Sequence, residues 1–381
     1  MQKGMTPKER LVAAIKREPV DYVPCSPYFN PLRPVQRVNY GYNFPWPEGN
    51  LEAMLDYNVN VLGVDPIVAF GMGYTADERV TVRKWVEGDI LHKVHETPAG
   101  PLHAAVKVNE LWPHGNDIPL YTDFIAHFTE PWVKTMADIE RLRYLLIRSN
   151  KASVLAASKE QFERVSSLAR KYNLPMFSSI GTGLTGALQL FGAEALCMAI
   201  VDQPAMVHEY LELEHKGNMI VLEQALGHGV DIVIRNGFYE TADFYGAHTL
   251  RELLKDRLQE EFKFVHDADK VAVYTQNTGV MPLLDYLDEL DFDCVNKLEI
   301  SPECADIKVI ANKLGSKKSF WTGPSNTFHM WSDTETIRQA VRDVFEVFGK
   351  RGLIITGSPS SHSTTPWENS LAMIDEWKRL R

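Results

Sequence analysis

Side chains able to exchange protons follow several short apolar segments of this sequence. They are two carboxylates, an imidazole and a phenol: Glu240, Asp65, His362 and Tyr239. Such groups act as general acids or bases when they lie within hydrogen-bond reach of a substrate, so we take all four as candidate catalytic residues. The sequence leaves a structural alternative open for three of them. Asp65 also suits a turn before Pro66, Glu240 a bond to loop backbone, and His362 a solvated loop.

A second set of side chains suits ligand binding rather than proton transfer. It comprises Tyr28, Phe29, Arg33, Arg37, Asn236, Gln276 and Asn326. The aromatic rings lie in the proline-rich segment 19–49 and can stack on an arene or plug one end of a barrel. The two arginines of that segment can each hold a carboxylate or phosphate through paired hydrogen bonds, or remain solvated.

Several common motifs are absent from the sequence. No GxGxxG follows the first predicted strand and GxxxxGK[ST] occurs nowhere, so a Rossmann or P-loop nucleotide site has no support. The four cysteines form no CxxC pair, which argues against a structural zinc cluster. They are Cys25, Cys197, Cys294 and Cys304. No short spacing brings a nucleophile, a histidine and a carboxylate together as a triad.

The composition restricts the partners of the protein. Lys and Arg number 40 against 50 Asp and Glu, which gives a net charge of −10 and argues against nucleic acid and anionic membranes as partners. Few cysteines suggest a reduced compartment. No apolar run approaches the ~18 residues of a membrane helix, and the first residues lack the apolar core of a signal peptide. We therefore expect a cytoplasmic protein.

Short apolar strands alternate with amphipathic helices along most of the chain. The predicted strands are 59–64, 175–180, 231–235, 270–275, 293–298, 319–322 and 353–356. The predicted helices after residue 130 are 135–145, 151–172, 184–201, 204–227, 248–266, 281–289, 302–313, 334–348 and 366–380. Uniformly apolar strands between helices are typical of a parallel sheet covered on both faces.

This alternation predicts an α/β protein with a single (β/α)8 TIM barrel over residues 1–381. Residues 1–130 form an elaborated N-terminal region with the first strands, and residues 131–381 form regular β/α repeats. Segments of alternating polarity between residues 80 and 108 predict an antiparallel excursion, with turns at Gly88-Asp89 and at 98–100. In such barrels the active site lies at the carboxyl ends of the strands, where the candidate residues fall.

Ordered motifs along the chain resemble the uroporphyrinogen decarboxylase superfamily. The opening segments 5–10 and 19–24 are similar to the family's "tpreRl…epvDrvP", and Glu96-Thr97-Pro98-Ala99-Gly100 is similar to its "TPvG" hairpin. Residues 225–231 resemble "aGaD" before a central strand, and 365–369 match "TPxeN" before the last helix. The resemblance implies the same barrel, with its cleft at the strand ends.

Departures from the family pattern separate its branches. Zinc methyltransferases of the family end a strand in His-x-Cys-Gly, where this chain has Gln276-Asn277-Thr278-Gly279, and their second cysteine falls near Pro359. Both soft ligands are missing, so zinc remains an uncertain cofactor. Arg33, Arg37 and Asp65 can match residues of the porphyrinogen decarboxylase. Its tyrosine falls at Leu188 or Gln189, and its histidine falls near Pro359, three residues from His362.

The remaining branch implies a methyltransferase I component. Its relatives move a methyl group from a small methylated donor, such as a methoxyarene, to the cobalt of a corrinoid on a separate protein. The resemblance thus implies cobalamin as cofactor and a corrinoid protein as partner. Two alternatives stay open: a decarboxylase of uroporphyrinogen or a smaller carboxylated substrate, and a non-catalytic barrel that binds a tetrapyrrole or a partner.

Overall fold

The computed structural model describes residues 4–30, 42–71, 73–109, 112–122, 126–147, 152–301, 305–358 and 360–381. The chain forms two compact units. The first comprises Met1–Gly71, Ser158–Ile180 and Ala225–Arg381, and the second comprises Met72–Ala157 and Gly181–Gln224. The assignment of the whole chain to one barrel domain stays a prediction.

The strands are β1 (Phe29–Asn30), β2 (Val68–Ala69), β3 (Thr81–Glu87), β4 (Ile90–Thr97), β5 (Gly100–Lys107), β6 (Phe128–Glu130), β7 (Met176–Ile180), β8 (Ile232–Asn236), β9 (Val271–Thr275), β10 (Cys294–Asn296), β11 (Ser319–Thr322), β12 (Leu353–Ile355) and β13 (Ser361–His362). The helices are α1 (Pro7–Ile15), α2 (Leu51–Asp56), α3 (Met136–Leu142), α4 (Ala152–Tyr172), α5 (Gly183–Phe191), α6 (Ala193–Asp202), α7 (Pro204–Gly227), α8 (Ala247–Asp267), α9 (Leu284–Glu289), α10 (Ile307–Leu314), α11 (Thr334–Phe348) and α12 (Trp367–Leu380). A π-helix (Tyr57–Leu62) follows α2, and a 3-10 turn (Met281–Leu283) precedes α9.

The first unit is built on a parallel sheet of seven strands in the order β12-β11-β10-β9-β8-β7-β2. Residues 24–26 bond to the backbone at both edges of this sheet. The Ser26 N–H donates to the Ile355 carbonyl at 2.8 Å, and the Asp65 N–H, just before β2, donates to the Cys25 carbonyl at 2.7 Å. The segment takes the place of an eighth strand, so the sheet curls as in a TIM barrel, and the predicted α/β class is confirmed.

Helix α1 covers the amino ends of the barrel strands. Thr6 and Glu9 form the capping box that starts it, because each side chain bonds the backbone of the other residue. Its apolar face packs Leu11 and Ile15 against inward-facing residues of β8 to β12. Since α1 fills the amino end, a substrate site in this unit belongs at the opposite, carboxyl end of the strands.

The second unit contains an antiparallel sheet in the order β3-β4-β5-β6. Its first three strands are consecutive hairpins, with Gly88 and Gly100 at positive φ in the turns. The predicted antiparallel excursion is therefore confirmed. Among the described residues no single helix has the length and apolarity to cross a membrane; α5 and α6 meet that criterion only together, as a pair bent by 109°.

Two predicted elements are wrong in type or extent. The sequence predicts a strand over residues 59–64. Residues 59–62 instead belong to the π-helix that continues α2, and Gly63, with a φ of 66°, ends that helix. The β-branched valines there favour a strand only when a sheet partner is present. The predicted helix 184–201 is two helices, broken at Gly192 with a φ of 77°.

Candidate active site

Glu299 follows the carboxyl end of β10 by three residues and is a buried carboxyl at this end of the barrel. Its side chain is 3% exposed, and its N–H donates to the Asn277 carbonyl at 2.9 Å. Burial raises the pKa of Glu299 to about 7, although hydrogen bonds involving Ser325 and the Ile300 backbone favour the ionised form. One carboxyl oxygen, Oε1, has no hydrogen-bond partner among the described residues. This carboxyl can therefore give or take a proton near neutral pH.

Backbone contacts between neighbouring loops hold Glu299 in place. Its preceding residue, Leu298, offers a carbonyl that accepts hydrogen bonds at 2.8 Å from the hydroxyls of both Thr322 and Ser358. The loops after β11 and β12 are joined in turn by a parallel bridge between Ser325 and Ser358. Three successive strand ends thus share one bonded network, which fixes the position of a carboxyl at their centre.

Other buried side-chain oxygens of the same unit lack a partner among the described residues. They belong to Ser26, Thr275, Asn277, Ser301 and Ser361. A buried polar atom without a hydrogen bond costs about 1–3 kcal/mol. Each of these residues lies at or beyond the carboxyl end of a barrel strand or of the segment 24–26. Unmet acceptors and donors at one end of a barrel favour a polar ligand there.

Lys297 and Tyr28 lie together at the carboxyl end of the barrel. The Lys297 ammonium is 4.7 Å from the centre of the Tyr28 ring, and that ring is 41% exposed. Lys297 has a φ of 65°, and the other described non-glycine residues with positive φ all follow the end of a helix rather than a strand. A lysine in this conformation costs conformational energy, and such strain is frequent at ligand sites. Tyr28, a predicted substrate-binding residue, thus lies beside Lys297 at the carboxyl end of the barrel, and its binding role stays a prediction.

Glu240 lies in a buried polar network with Tyr274 and Arg235, and its catalytic role stays a prediction. Glu240 is fully buried, accepts a hydrogen bond from the Tyr274 hydroxyl at 2.5 Å, and lies 3.6 Å from Arg235. Arg235 also pairs with Glu261 of α8 at 2.9 Å. Alternate residues of β8 and β9 pack inward beneath α1, so Arg235 and Tyr274 face the helices outside the barrel. Glu240 therefore neutralises a buried arginine.

Gln276 bonds to the backbone beside this network, and its predicted role in substrate binding stays a prediction. Its Nε2 donates to the Gly237 carbonyl at 3.2 Å. Gly237 has no room for a side chain: an added Cβ would lie 2.4 Å from the Tyr274 ring and 2.8 Å from both Gln276 and Glu240. A glycine at position 237 is therefore needed for Gln276 and Glu240 to pack this closely.

Asp65 lies at the start of a barrel segment, not at its end as predicted. Its carboxylate forms an ion pair with Arg10 of α1 and accepts a hydrogen bond from the Cys25 N–H at 3.3 Å. Burial raises the pKa of Asp65 to about 6, against the opposing effect of the Arg10 charge. The error follows from the π-helix, because the true strand begins after Asp65. The pair anchors α1 at the amino end, far in sequence from the loops that hold Glu299.

Phe29 packs into an aromatic cluster, and its role in stacking on a substrate stays a prediction. Its buried ring meets Phe44, Trp46 and Trp367 at centre distances of 5.3, 5.2 and 5.7 Å. These contacts belong to the core between α11, α12 and the outer side of β12. Arg33 and Arg37 lie outside the described residues.

The remaining predicted residues stay near strand ends, and their roles stay predictions. Asn236 ends β8 half-buried opposite Thr275. Half-buried His362 pairs in β13 with Asn30 of β1. Tyr239 packs edge-on against neighbouring phenylalanines. The Asn326 side-chain oxygen accepts a hydrogen bond from Thr365 at 3.5 Å, which ties it to the start of α12.

Zinc does not fit the donor set of the described residues. No three His, Cys, Asp or Glu side chains among them converge as a metal site requires. The thiols of Cys25 and Cys294 are buried within the barrel wall, and burial raises the pKa of Cys294 to about 12. A thiol must lose its proton to bind zinc, so these two are poor ligands.

Comparison with known proteins identifies the family. Residues 109–380 match the family model described as uroporphyrinogen decarboxylase (URO-D). This chain belongs to the uroporphyrinogen decarboxylase family. The resemblance seen in the sequence motifs is thus confirmed.

Two solved structures are similar to this chain over most of its length. A methyltransferase from Methanosarcina mazei has 18% identity and a TM-score of 0.60, with 99% of each chain covered. A B12-independent methionine synthase from Shewanella sp. W3-18-1 has 10% identity and a TM-score of 0.48, with 94% of this chain and 96% of that chain covered. No curated protein sequence matches the chain. At 18% identity, the likeness to the methyltransferase shows a shared fold alone.

Proposed function

We propose that this protein is a methyltransferase that moves a methyl group from a small methylated donor, such as a methoxyarene, to the cobalt of a corrinoid carried by a partner protein. Family membership and the fold shared with a methyltransferase support the enzyme class. The observation that carries the proposal is Glu299, a buried carboxyl at the carboxyl end of the barrel with a pKa raised to about 7.

Methyl transfer from an ether requires activation of the leaving oxygen. The corrinoid supplies the nucleophile in its cobalt(I) state, so the barrel has to stabilise the group that departs. When the carbon–oxygen bond breaks, its electron pair stays on oxygen, and the Glu299 proton converts that oxygen to a hydroxyl. Glu299 is left as a carboxylate, and a proton from solvent restores it. A carboxyl of ordinary pKa would be ionised at neutral pH and unable to donate.

Lys297 and Tyr28 indicate the kind of donor that this end of the barrel suits. The exposed Tyr28 ring offers a face for an arene, and the Lys297 ammonium attracts a negative group on that arene. The two lie together, and Glu299 follows Lys297 by two residues. We therefore expect a methoxyarene with a carboxylate to be a better donor than its neutral amide.

The proposal is tested with purified protein, reduced cob(I)alamin and a panel of methoxyarenes and methylamines, with methylcobalamin followed by its visible spectrum. Glu299→Gln should lower the rate with ether donors by about 10²–10⁴, the usual contribution of a general acid. Quaternary ammonium donors leave as neutral amines and need no proton, so the variant should spare any activity with them. Absence of methylcobalamin across the panel, or full ether activity of Glu299→Gln, would contradict the proposal.

A decarboxylase is the second candidate, and the family model favours it. Loss of carbon dioxide leaves an electron pair on carbon, and Glu299 could protonate that carbon. Carbon dioxide released from a carboxylated substrate without any corrinoid would select this function over methyl transfer.

A further inference from the structure

Strand β3 is an uncovered edge of the antiparallel sheet in the second unit. Among the described strands it pairs with β4 alone, and all seven of its residues are exposed. Three of them are large and apolar: Val82 is 51% exposed, Val86 55% and Trp85 36%. The strand contains neither proline nor glycine. A long edge of this kind, with unpaired backbone groups and apolar side chains, is a template for another strand.

The charges on β3 are complementary to the same strand running in the opposite direction. Arg83 and Glu87 lie two residues to either side of Trp85, and all three share one face of the sheet. An antiparallel pairing centred on Trp85 places Arg83 opposite Glu87 in both directions. Pairings centred on Arg83 or Lys84 would instead place like charges opposite each other, which is unfavourable.

We propose that two copies of this chain associate through β3, antiparallel, with Trp85 opposite Trp85 of the partner subunit. Each Arg83 then faces Glu87 of the partner subunit, and the two four-stranded sheets form one continuous sheet. Closed two-fold pairing of one surface with itself is the commonest form of protein association. It also removes the exposed edge that would otherwise allow open-ended aggregation.

The residues at the centre of this edge are already positioned for the contact. The Trp85 ring stacks on His92 of β4 with centres 4.8 Å apart and planes 2° apart, so it loses little freedom on pairing. Arg83 bonds Glu96 at 3.2 Å, but both side chains are solvent-exposed. Such a surface pair contributes little, so Arg83 can turn to a partner at small cost.

Sedimentation velocity on the full chain over a range of concentrations tests the proposal. The wild type should dimerise. Arg83→Glu and Glu87→Arg each place like charges opposite one another twice and should weaken the dimer about tenfold or more, since like charges directly opposite across two strands are unfavourable. The double variant Arg83→Glu/Glu87→Arg restores opposite charges and should recover the dimer.

Two further variants make the outcome decisive. Lys263→Glu alters an exposed ion pair with Asp267 within α8, outside the antiparallel sheet, and should leave the dimer intact. In a Cys197→Ser background, Trp85→Cys should form an intermolecular disulfide under mild oxidation, because residue 85 faces itself, whereas Val82→Cys should not. A wild type that stays monomeric, a dimer that neither single charge change weakens, or a double variant without recovery would overturn the proposal.

Discussion

Replacement of Glu299 by glutamine should change how the stability of the protein depends on pH. The carboxyl has a usual pKa of 4.5 and a folded-state pKa of about 7. Below the lower value it is protonated in both the folded and the unfolded state. Between the two values the unfolded chain releases the proton while the folded chain keeps it, so the free energy of unfolding falls as pH rises. Above about 7 both states are ionised and the fall stops.

The size of the effect follows from the two pKa values. Each pH unit between them is equivalent to about 1.4 kcal/mol, so the full difference is about 3 kcal/mol. The amide of Glu299→Gln cannot ionise and does not incur this cost. The variant should therefore match the wild type near pH 4.5 and exceed it by about 3 kcal/mol from about pH 8 upward.

Urea unfolding of both proteins, followed by circular dichroism at several pH values, measures this difference while other titrating groups cancel. Glu376→Gln is the matched control. Burial acts to raise the pKa of Glu376, but the hydrogen bond and charge of Arg342 hold it below its usual value. Its stabilising effect is present above 4.5, so this variant should be destabilised by a constant amount across the same window. A flat difference for Glu299→Gln would refute the raised pKa, and with it the proposed proton donor.

Other substitutions test the remaining parts of the site. Arg10→Met should destabilise the fold by about 3–5 kcal/mol, because it leaves the buried Asp65 charge unpaired; the double change with Asp65→Asn should recover much of that loss in chemical denaturation. Gly323→Ala should lower the melting temperature, since its Cβ would lie 1.9 Å from a backbone oxygen, whereas Gly227→Ala, with nothing within 4 Å, should not. In the methyl-transfer assay, Lys297→Met should raise KM several-fold for carboxylated methoxyarenes and leave KM for neutral methoxyarenes unchanged. Equal effects on both kinds of donor would contradict anion recognition by Lys297.

The identity of the acidic group could not be predicted from the order of residues alone. Glu240 and Glu299 both follow a predicted strand, yet one bonds outside the barrel wall and the other lies at its carboxyl end. Side chains alternate between the two faces of a strand, so a difference of one residue in where the strand ends reverses their direction. One signal was present: Glu299 lies between Leu298 and Ile300, and an acid between apolar residues predicts burial and a raised pKa.

The sequence by itself determined the alternating strands and helices, the capped first helix, the antiparallel hairpins and the family. These features depend on local periodicity, capping chemistry and motifs, which are read along the chain. Only the tertiary structure decided that Asp65 pairs with Arg10 at the amino end and that Glu240 and Gln276 surround Gly237. It also decided that Glu299 is buried, with one oxygen that has no partner in the part of the chain that the structure describes. Each of these depends on contacts between residues distant in sequence, and burial by such contacts sets both the direction of a side chain and the pKa of its acid.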